Sequence, residues 1–240
     1  MSFTRKLMKA YFDYAYNPIY DFTTARLYRY RQLQKRCVGK LELKDNDRVL
    51  CVGVGTGNEI FHILEMNRNV SIVGVDYSHI ALKKACKKAI ALGKEIECFV
   101  MDTRCLQFIT GSFDKVLCIH VMDFIDDDVE ATREILRVLK KEGQFVITYP
   151  SDKEGPRLGI NLVRDSIHHS ISSGKLRIIA LLESLAQMLV GIVYLPLLFR
   201  PKRKSYSRSG LETMIAQLTT GAFQIEEDAV YQDFIVYGRK

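Results

Sequence analysis

The chain has 240 residues, 48% of them hydrophobic and 26% charged, and a formal net charge of +7. A chain of that length and balance buries a self-sufficient core, which excludes a disordered, fibrous or disulfide-stapled protein. The charge is uneven, at +6 over residues 1–48, −2 over 49–150, +6 over 151–210 and −3 over 211–240, so basic flanks bracket a mildly acidic middle. Such flanks suit an anionic membrane surface, an acidic substrate, nucleic acid or plain solubility.

The first 40 residues are aromatic and basic, with Tyr11, Tyr14, Tyr16, Tyr20, Tyr28 and Tyr30 among them. Asn17-Pro18 predicts a break and Asp21 to Arg36 a helix. From Asp47 the pattern changes. Arg48 to Val52 predicts a strand, followed by a glycine loop and a helix from Glu59 to Met66. Ser71 to Val75 predicts a second strand. Ser78 to Leu92 predicts a helix, capped by Ser78 and stopped by Gly93. Glu97 to Met101 and Phe113 to Val121 predict strands three and four. Asp126 to Lys140 predicts a helix with acids at its start, bases at its end and Gly143 as its stop. Gln144 to Tyr149 predicts strand five. Residues 151–210 carry no strand signal and read as a helical insertion. A helix from Gly210 to Leu218 and strands from Phe223 to Val230 and Phe234 to Tyr237 close the chain. The link between those last strands is too short for a parallel crossover, so they form an antiparallel hairpin.

Strands alternate with helices, and their interiors are continuous apolar runs such as Lys115 to Ile119, as in strands buried on both faces. The predicted fold is α/β: a Rossmann-like, seven-stranded, mostly parallel sheet with helices on both faces, an antiparallel terminal hairpin and a helical insertion before it. The predicted organisation is a single domain, with a helical cap over 1–46, a cofactor-binding core over 47–150, the insertion over 151–210 and the closing elements over 211–240. None of the six cysteines has C-x-x-C spacing, so no metal site is expected. Cys51, Cys98 and Cys118 read as buried thiols, and the N-terminus has no leader pattern. Both features point to a reducing, cytoplasmic compartment.

Three points on this frame carry chemistry. Gly53, Gly55 and Gly57 form G-x-G-x-G between a strand and a helix, where the backbone turns tightly and a helix N-terminus faces a ligand. Asp76 ends the second strand, placed to accept bonds from ribose hydroxyls, unless it is only a helix N-terminal acid. Asp102 follows the third strand, where a carboxylate can accept a bond from an adenine amino group. Together these points resemble the class I S-adenosylmethionine-dependent methyltransferase family, well over 47–150 and moderately over the last hairpin. The resemblance implies S-adenosyl-L-methionine as cofactor, with Gly53, Gly55 and Gly57 around its methionine part, Asp76 on the ribose and Asp102 on the adenine. Cys51, Thr56, Tyr77, Thr103, His120 and Tyr20 are expected beside them. Phe113-Asp114, Leu136 to Gly143 and Asp233 to Lys240 also look typical of the family. One departure is Cys51, where the family usually has an acid two residues before the first glycine; Glu59 is the nearby acid that could compensate.

Methyl transfer from a sulfonium requires alignment, water exclusion and, for some acceptors, a base. His120, at the end of strand four, is the first candidate for a catalytic group, against a packing role. Tyr149, at the end of strand five, is the second, against an ordinary strand end. Tyr16 or Tyr20 could close over the sulfonium by cation–π attraction, or form a packed aromatic cap. His168 and His169 point in different directions on a helix and are not expected to bind a metal.

The insertion holds the substrate clue. Ile178 to Phe199 is apolar but for Glu183, with Gly191 and Pro196 interrupting it. It reads as a lid over a lipophilic pocket, an interfacial helix at 176–208 with Arg200, Lys202, Arg203, Lys204 and Arg208 on anionic headgroups, or a partner interface. The expected acceptor is a small, lipophilic molecule: a quinone, tetrapyrrole or lipid. The insertion and Tyr20-Asp21 are similar, more loosely, to methyltransferases of quinone and Mg-porphyrin pathways. Nucleic acid is disfavoured, since amino-methyltransferase signatures are absent and only the basic flanks support RNA. A non-catalytic cofactor-binding or membrane-docking subunit is the remaining alternative.

Overall fold

In the computed structural model, the described residues are 7, 9–24, 27–152, 164, 167–174, 176, 178–179, 181–183, 185–186, 205–228 and 233–240. The N-terminal part begins with a π-helical turn (Phe12–Tyr16) that runs into α1 (Asn17–Thr24), and α2 (Tyr28–Gly39) follows. The expected break at Asn17-Pro18 is therefore absent. Pro18 directly follows the π-helical turn, and the helix continues through it. The expected single helix from Asp21 to Arg36 is two helices. The chain leaves helical geometry at Leu27, with φ −81° and ψ 86°.

The core then alternates as expected: β1 (Arg48–Val52), α3 (Asn58–Met66), β2 (Ser71–Asp76), α4 (His79–Ala91), β3 (Glu97–Val100), β4 (Phe113–Cys118), α5 (Asp128–Val138) and β5 (Leu139–Pro150). The Ser78 hydroxyl accepts from the Ala81 N–H and caps α4 as expected. Gly143 does not stop α5. The helix ends at Val138, and the strand has begun at Leu139. The register against β4 then jumps from Phe113–Leu139 to Lys115–Gln144, so residues 140–143 bulge out, with Glu142 at φ 62°. Strand four stops at Cys118, short of the expected Val121, and His120 at φ 53° turns the chain out of the sheet.

After the insertion, α6 (Arg208–Leu218) leads to β6 (Phe223–Glu227) and β7 (Asp233–Arg239). The sheet has the order β3-β2-β1-β4-β5-β7-β6. The first five strands are parallel, and β7 is antiparallel to both β5 and β6. One apolar cluster joins Phe145, Ile147 and Tyr149 to α5 and α6. The other joins Val49, Cys51 and Val146 to α2, α3 and α4. Successive strand residues point to opposite faces, and the two clusters divide them so.

The neck of the insertion is a parallel bridge between Ser151 and Tyr206, with the Tyr206 N–H donating to the Pro150 carbonyl at 3.0 Å. The segment expected to lack strand pairing thus leaves and rejoins the sheet at one point. Gly191, Pro196, Arg200, Lys202, Arg203 and Lys204, and the apolar run beyond residue 186, lie outside the described residues. Arg208 is described and exposed. Its guanidinium donates to the Ile225 carbonyl at 2.7 Å. Cys51 and Cys118 are buried as expected, but Cys98 is only partly so, because β3 is an edge strand.

Candidate active site

The parallel strands end at one edge of the sheet, and the site is built there. Past β1 the chain turns through Gly53, Gly55 and Gly57, all at positive φ. A Cβ on Gly53 would stand 2.3 Å from Val121 Cγ2, whereas one on Gly55 would meet nothing closer than the Gly53 carbonyl at 3.9 Å. Gly53 is therefore fixed by the fold, and Gly55 faces open space.

Asp76 ties this loop to its neighbour. One carboxylate oxygen accepts from the Gly55 N–H at 2.9 Å and the other from the Ser78 N–H at 2.8 Å. Burial raises its pKa, and these amides oppose the rise. Tyr77 is partly exposed, and Lys9 donates to its carbonyl at 3.1 Å. Glu59, in the first turn of α3, is pushed up to about 7 by burial; Lys88 lowers it and Asp76 raises it. Cys51, by contrast, is sealed in the core beside Val49, Val54 and Ile60, and burial pushes its thiol well up. It is a packing residue, with no route to a ligand.

Asp102 behaves differently from Asp76. It is exposed, and Arg104 holds it with Nε at 2.9 Å from Oδ1 and Nη2 at 2.5 Å from Oδ2. Thr103 lies beside it, partly buried.

The N-terminal helices are bolted over the glycine loop at two places. Thr56, buried, donates to Asp21 at 2.6 Å, and Lys88 from α4 reaches both Asp21 at 2.6 Å and Asn58 at 2.5 Å. Asp13 accepts from the Ser78 hydroxyl, and Asn17 donates to that hydroxyl at 3.0 Å. The expected ligand Thr56 thus spends its hydroxyl on the cap. Tyr20 stacks on Tyr16 with ring centroids 5.2 Å apart, and its hydroxyl is 2.6 Å from that of Tyr30. Tyr30 in turn lies 5.3 Å from the His120 ring.

His120 stands at this edge, its N–H donating to Thr148 Oγ1 at 2.8 Å. Its Nε2 is 2.6 Å from Oδ2 of Asp233, the first residue of β7, which is only 5% exposed. Tyr149 does not join them. It is 1% exposed, its hydroxyl is 2.6 Å from that of Thr132 on α5, and burial raises its pKa far above the usual range. It points to the opposite face from its neighbour Thr148, so the candidate catalytic role for Tyr149 is corrected to packing. Among the described residues there is no group of three or more metal-ligating side chains. His169 stacks on Tyr28 at 3.7 Å.

Residues 50–147 match the family model described as a methyltransferase domain. Over that stretch the chain is similar to methyltransferases, as the relatives it matches also are. It is 30% identical over 131 residues to a phosphatidylethanolamine N-methyltransferase of Cereibacter sphaeroides, covering 54% of this chain and 62% of that one. It is 30% identical over 144 residues to the ubiquinone/menaquinone biosynthesis C-methyltransferase UbiE of Geotalea uraniireducens, covering 54% and 57%. The chain thus spans less than two thirds of the length of these relatives. Among solved structures, the PH0226 protein of Pyrococcus horikoshii matches with a TM-score of 0.59 and 19% identity over 88% of this chain and 90% of that one. A SAM-dependent methyltransferase of Aquifex aeolicus matches with a TM-score of 0.56 and 15% identity over 86% and 88%. These two likenesses show the fold.

The cofactor of this methyltransferase family is S-adenosyl-L-methionine, and the residues present fit it. The loop leaves space in front of Gly55, and the adjoining carboxyls of Glu59 and Asp76 are both raised by burial, a setting that favours a cationic ligand. Sequence reasoning missed Asp233 and Lys88. Each acts across more than 30 residues of chain, so no local spacing announces it.

Proposed function

We propose that this methyltransferase transfers a methyl group to a small lipophilic acceptor presented at a membrane surface. The observation that carries the reading is the insertion. Leu176, Ile178, Leu181, Leu182 and Leu185 each expose more than half of their surface. An apolar patch of that kind on a domain surface marks a binding or membrane face. Its neck stands at the same sheet edge as His120 and the glycine loop. No helix among the described residues is long and apolar enough to cross a membrane. The names of the relatives, a phosphatidylethanolamine and a quinone methyltransferase, support the same acceptor class.

S-adenosylmethionine supplies an activated methyl group when bound. The chain's own residues orient and shield. Gly53, Gly55 and Gly57 cradle, Asp76 holds the ribose hydroxyls, Glu59 faces the cationic end, and the Tyr16–Tyr20–Tyr30 rings exclude water. Asp102 reaches the adenine by giving up part of its pairing with Arg104. His120 takes the proton of an acceptor that must lose one.

The test is a methyl-labelled cofactor with phosphatidylethanolamine vesicles, a demethylated quinone in vesicles, and cell extract split into lipid, aqueous, RNA and protein fractions. Label is expected in the lipid fraction, with faster transfer on anionic vesicles. Label in RNA would replace the acceptor class. Cofactor binding without label in any fraction would make the chain a non-catalytic subunit.

A further inference from the structure

The mechanism leaves Asp233 unused, although it is a buried carboxylate in contact with His120 at the sheet edge. Three observations converge on that pair. Asp233 Oδ2 lies 2.6 Å from His120 Nε2, an ion-pair contact whose angle in this structure falls short of a hydrogen bond. His120 is held at φ 53°, a left-handed conformation uncommon for a side chain-bearing residue, and its N–H is pinned by Thr148. Tyr30 from α2 limits the ring on another side at 5.3 Å. Backbone, β7 and the cap thus fix one imidazole from three directions. Asp233 reaches the site because β7 runs antiparallel and begins, opposite Pro150, at the edge where the parallel strands end.

We propose that Asp233 is a positioning residue for methyl transfer, holding His120 with its proton on Nε2 so that Nδ1 carries the lone pair that accepts the acceptor's proton. The inference rests on the methyltransferase reading of this cleft. A carboxylate accepts but does not donate, so contact with Nε2 selects the Nε2–H tautomer. In the step itself the acceptor's electron pair takes up the methyl carbon, while the carbon–sulfur pair stays with sulfur. The proton released from the acceptor moves to Nδ1. The imidazolium that results keeps its Nε2–H on Asp233, whose negative charge offsets the new positive one, and the proton leaves to water after product release.

Nitrogen-15 NMR of the purified protein with labelled histidine reads the tautomer directly and needs no acceptor. His120 is expected as Nε2–H in the wild type. In Asp233→Asn, which keeps the size and the backbone bonds of β7, that tautomer loses its dominance. Cofactor affinity by calorimetry stays within about twofold, and kcat on the labelled lipid falls by about a hundredfold or more. Asp233→Glu restores part of the rate. In a His120→Gln background, Asp233→Asn adds no further loss, as expected of residues acting as one unit. Three results would overturn the proposal: an Nδ1–H tautomer in the wild type, an unchanged tautomer in Asp233→Asn, or additive losses in the double variant. The expected tautomers with unlabelled lipid would support the pairing and sink the lipid-acceptor reading, so the two failures are distinguishable.

Discussion

The ends of β2 and β3 each carry an aspartate at the edge of the sheet where the parallel strands end, and the two are held differently. Asp76 sits between strands in mid-sheet, and both its oxygens accept backbone N–H groups, from the glycine loop on one side and the start of α4 on the other. Asp102 follows the edge strand and is exposed, and Arg104 holds it with its guanidinium and with its backbone N–H at 3.0 Å. The same residue type at equivalent strand ends thus does two jobs. The first shapes the loop before any ligand arrives, and the second is an adjustable contact. Burial makes the difference, because amides lost from a buried carboxylate leave unsatisfied groups behind, while an exposed ion pair exchanges with water at little cost.

The comparison can be broken from the Asp76 side. Asp76→Ala strands the Gly55 and Ser78 amides, each bond to a carboxylate being worth about 1.5–3 kcal/mol. We expect cofactor affinity to fall by at least a hundredfold in calorimetry, with a lowered melting temperature. Gly53→Ala adds a clash with Val121 at a left-handed position, and we expect it to cost about 2 kcal/mol or more in denaturant unfolding.

The cap bolts give the next effect. Asp21→Ala removes the acceptor shared by Thr56 and Lys88. Because Thr56 is buried, we expect a loss of about 1 kcal/mol and faster hydrogen exchange in α1, while α5 exchanges as before.

Glu59 sharpens the comparison through pH. Burial pushes its carboxyl up to about 7 from 4.5, with Asp76 adding to the rise and Lys88 opposing it. The folded state therefore keeps a proton that the unfolded chain releases. This contribution to stability is fully present below about 4.5 and is lost as pH rises to about 7. A cationic ligand favours the ionised form, so cofactor affinity should rise across that interval with proton release, measurable by calorimetry in buffers of different ionisation heat. Glu59→Gln should flatten both profiles.

The smallest effect belongs to Asp102. Asp102→Asn should change affinity by less than about fivefold, within the roughly 1 kcal/mol typical of an exposed pair. Arg104→Ala should tighten binding slightly by freeing the carboxylate. A loss as large as that of Asp76→Ala would erase the distinction drawn between the two strand ends.

Much of this was legible in the sequence because the signals are local. The apolar runs at Arg48 to Val52 and Lys115 to Ile119, the Ser78 cap and the short link before the last strand each record a constraint within a few residues. What misled was a local signal overruled by distant pairing. Gly143 looks like a helix stop, but Leu139 pairs with Phe113 and starts the strand earlier. Asn17-Pro18 looks like a break, but the π turn before it and the packing of α1 on the loop carry the helix through. Tyr149 ends a strand at the right edge, and only the face it points to removes it from the site.

The sequence by itself determined the α/β alternation, the antiparallel closing strands, the glycine loop and the resemblance to methyltransferases, because hydrophobic period, turn residues and motif spacing act over short stretches of chain. Tertiary structure alone decided which side chains meet. Asp21 reaches Thr56 and Lys88, and Asp233 reaches His120 across 113 residues, through a strand order that no local pattern encodes. Those contacts depend on how the sheet closes, and the energy that holds them comes from burial that exists only once it has closed.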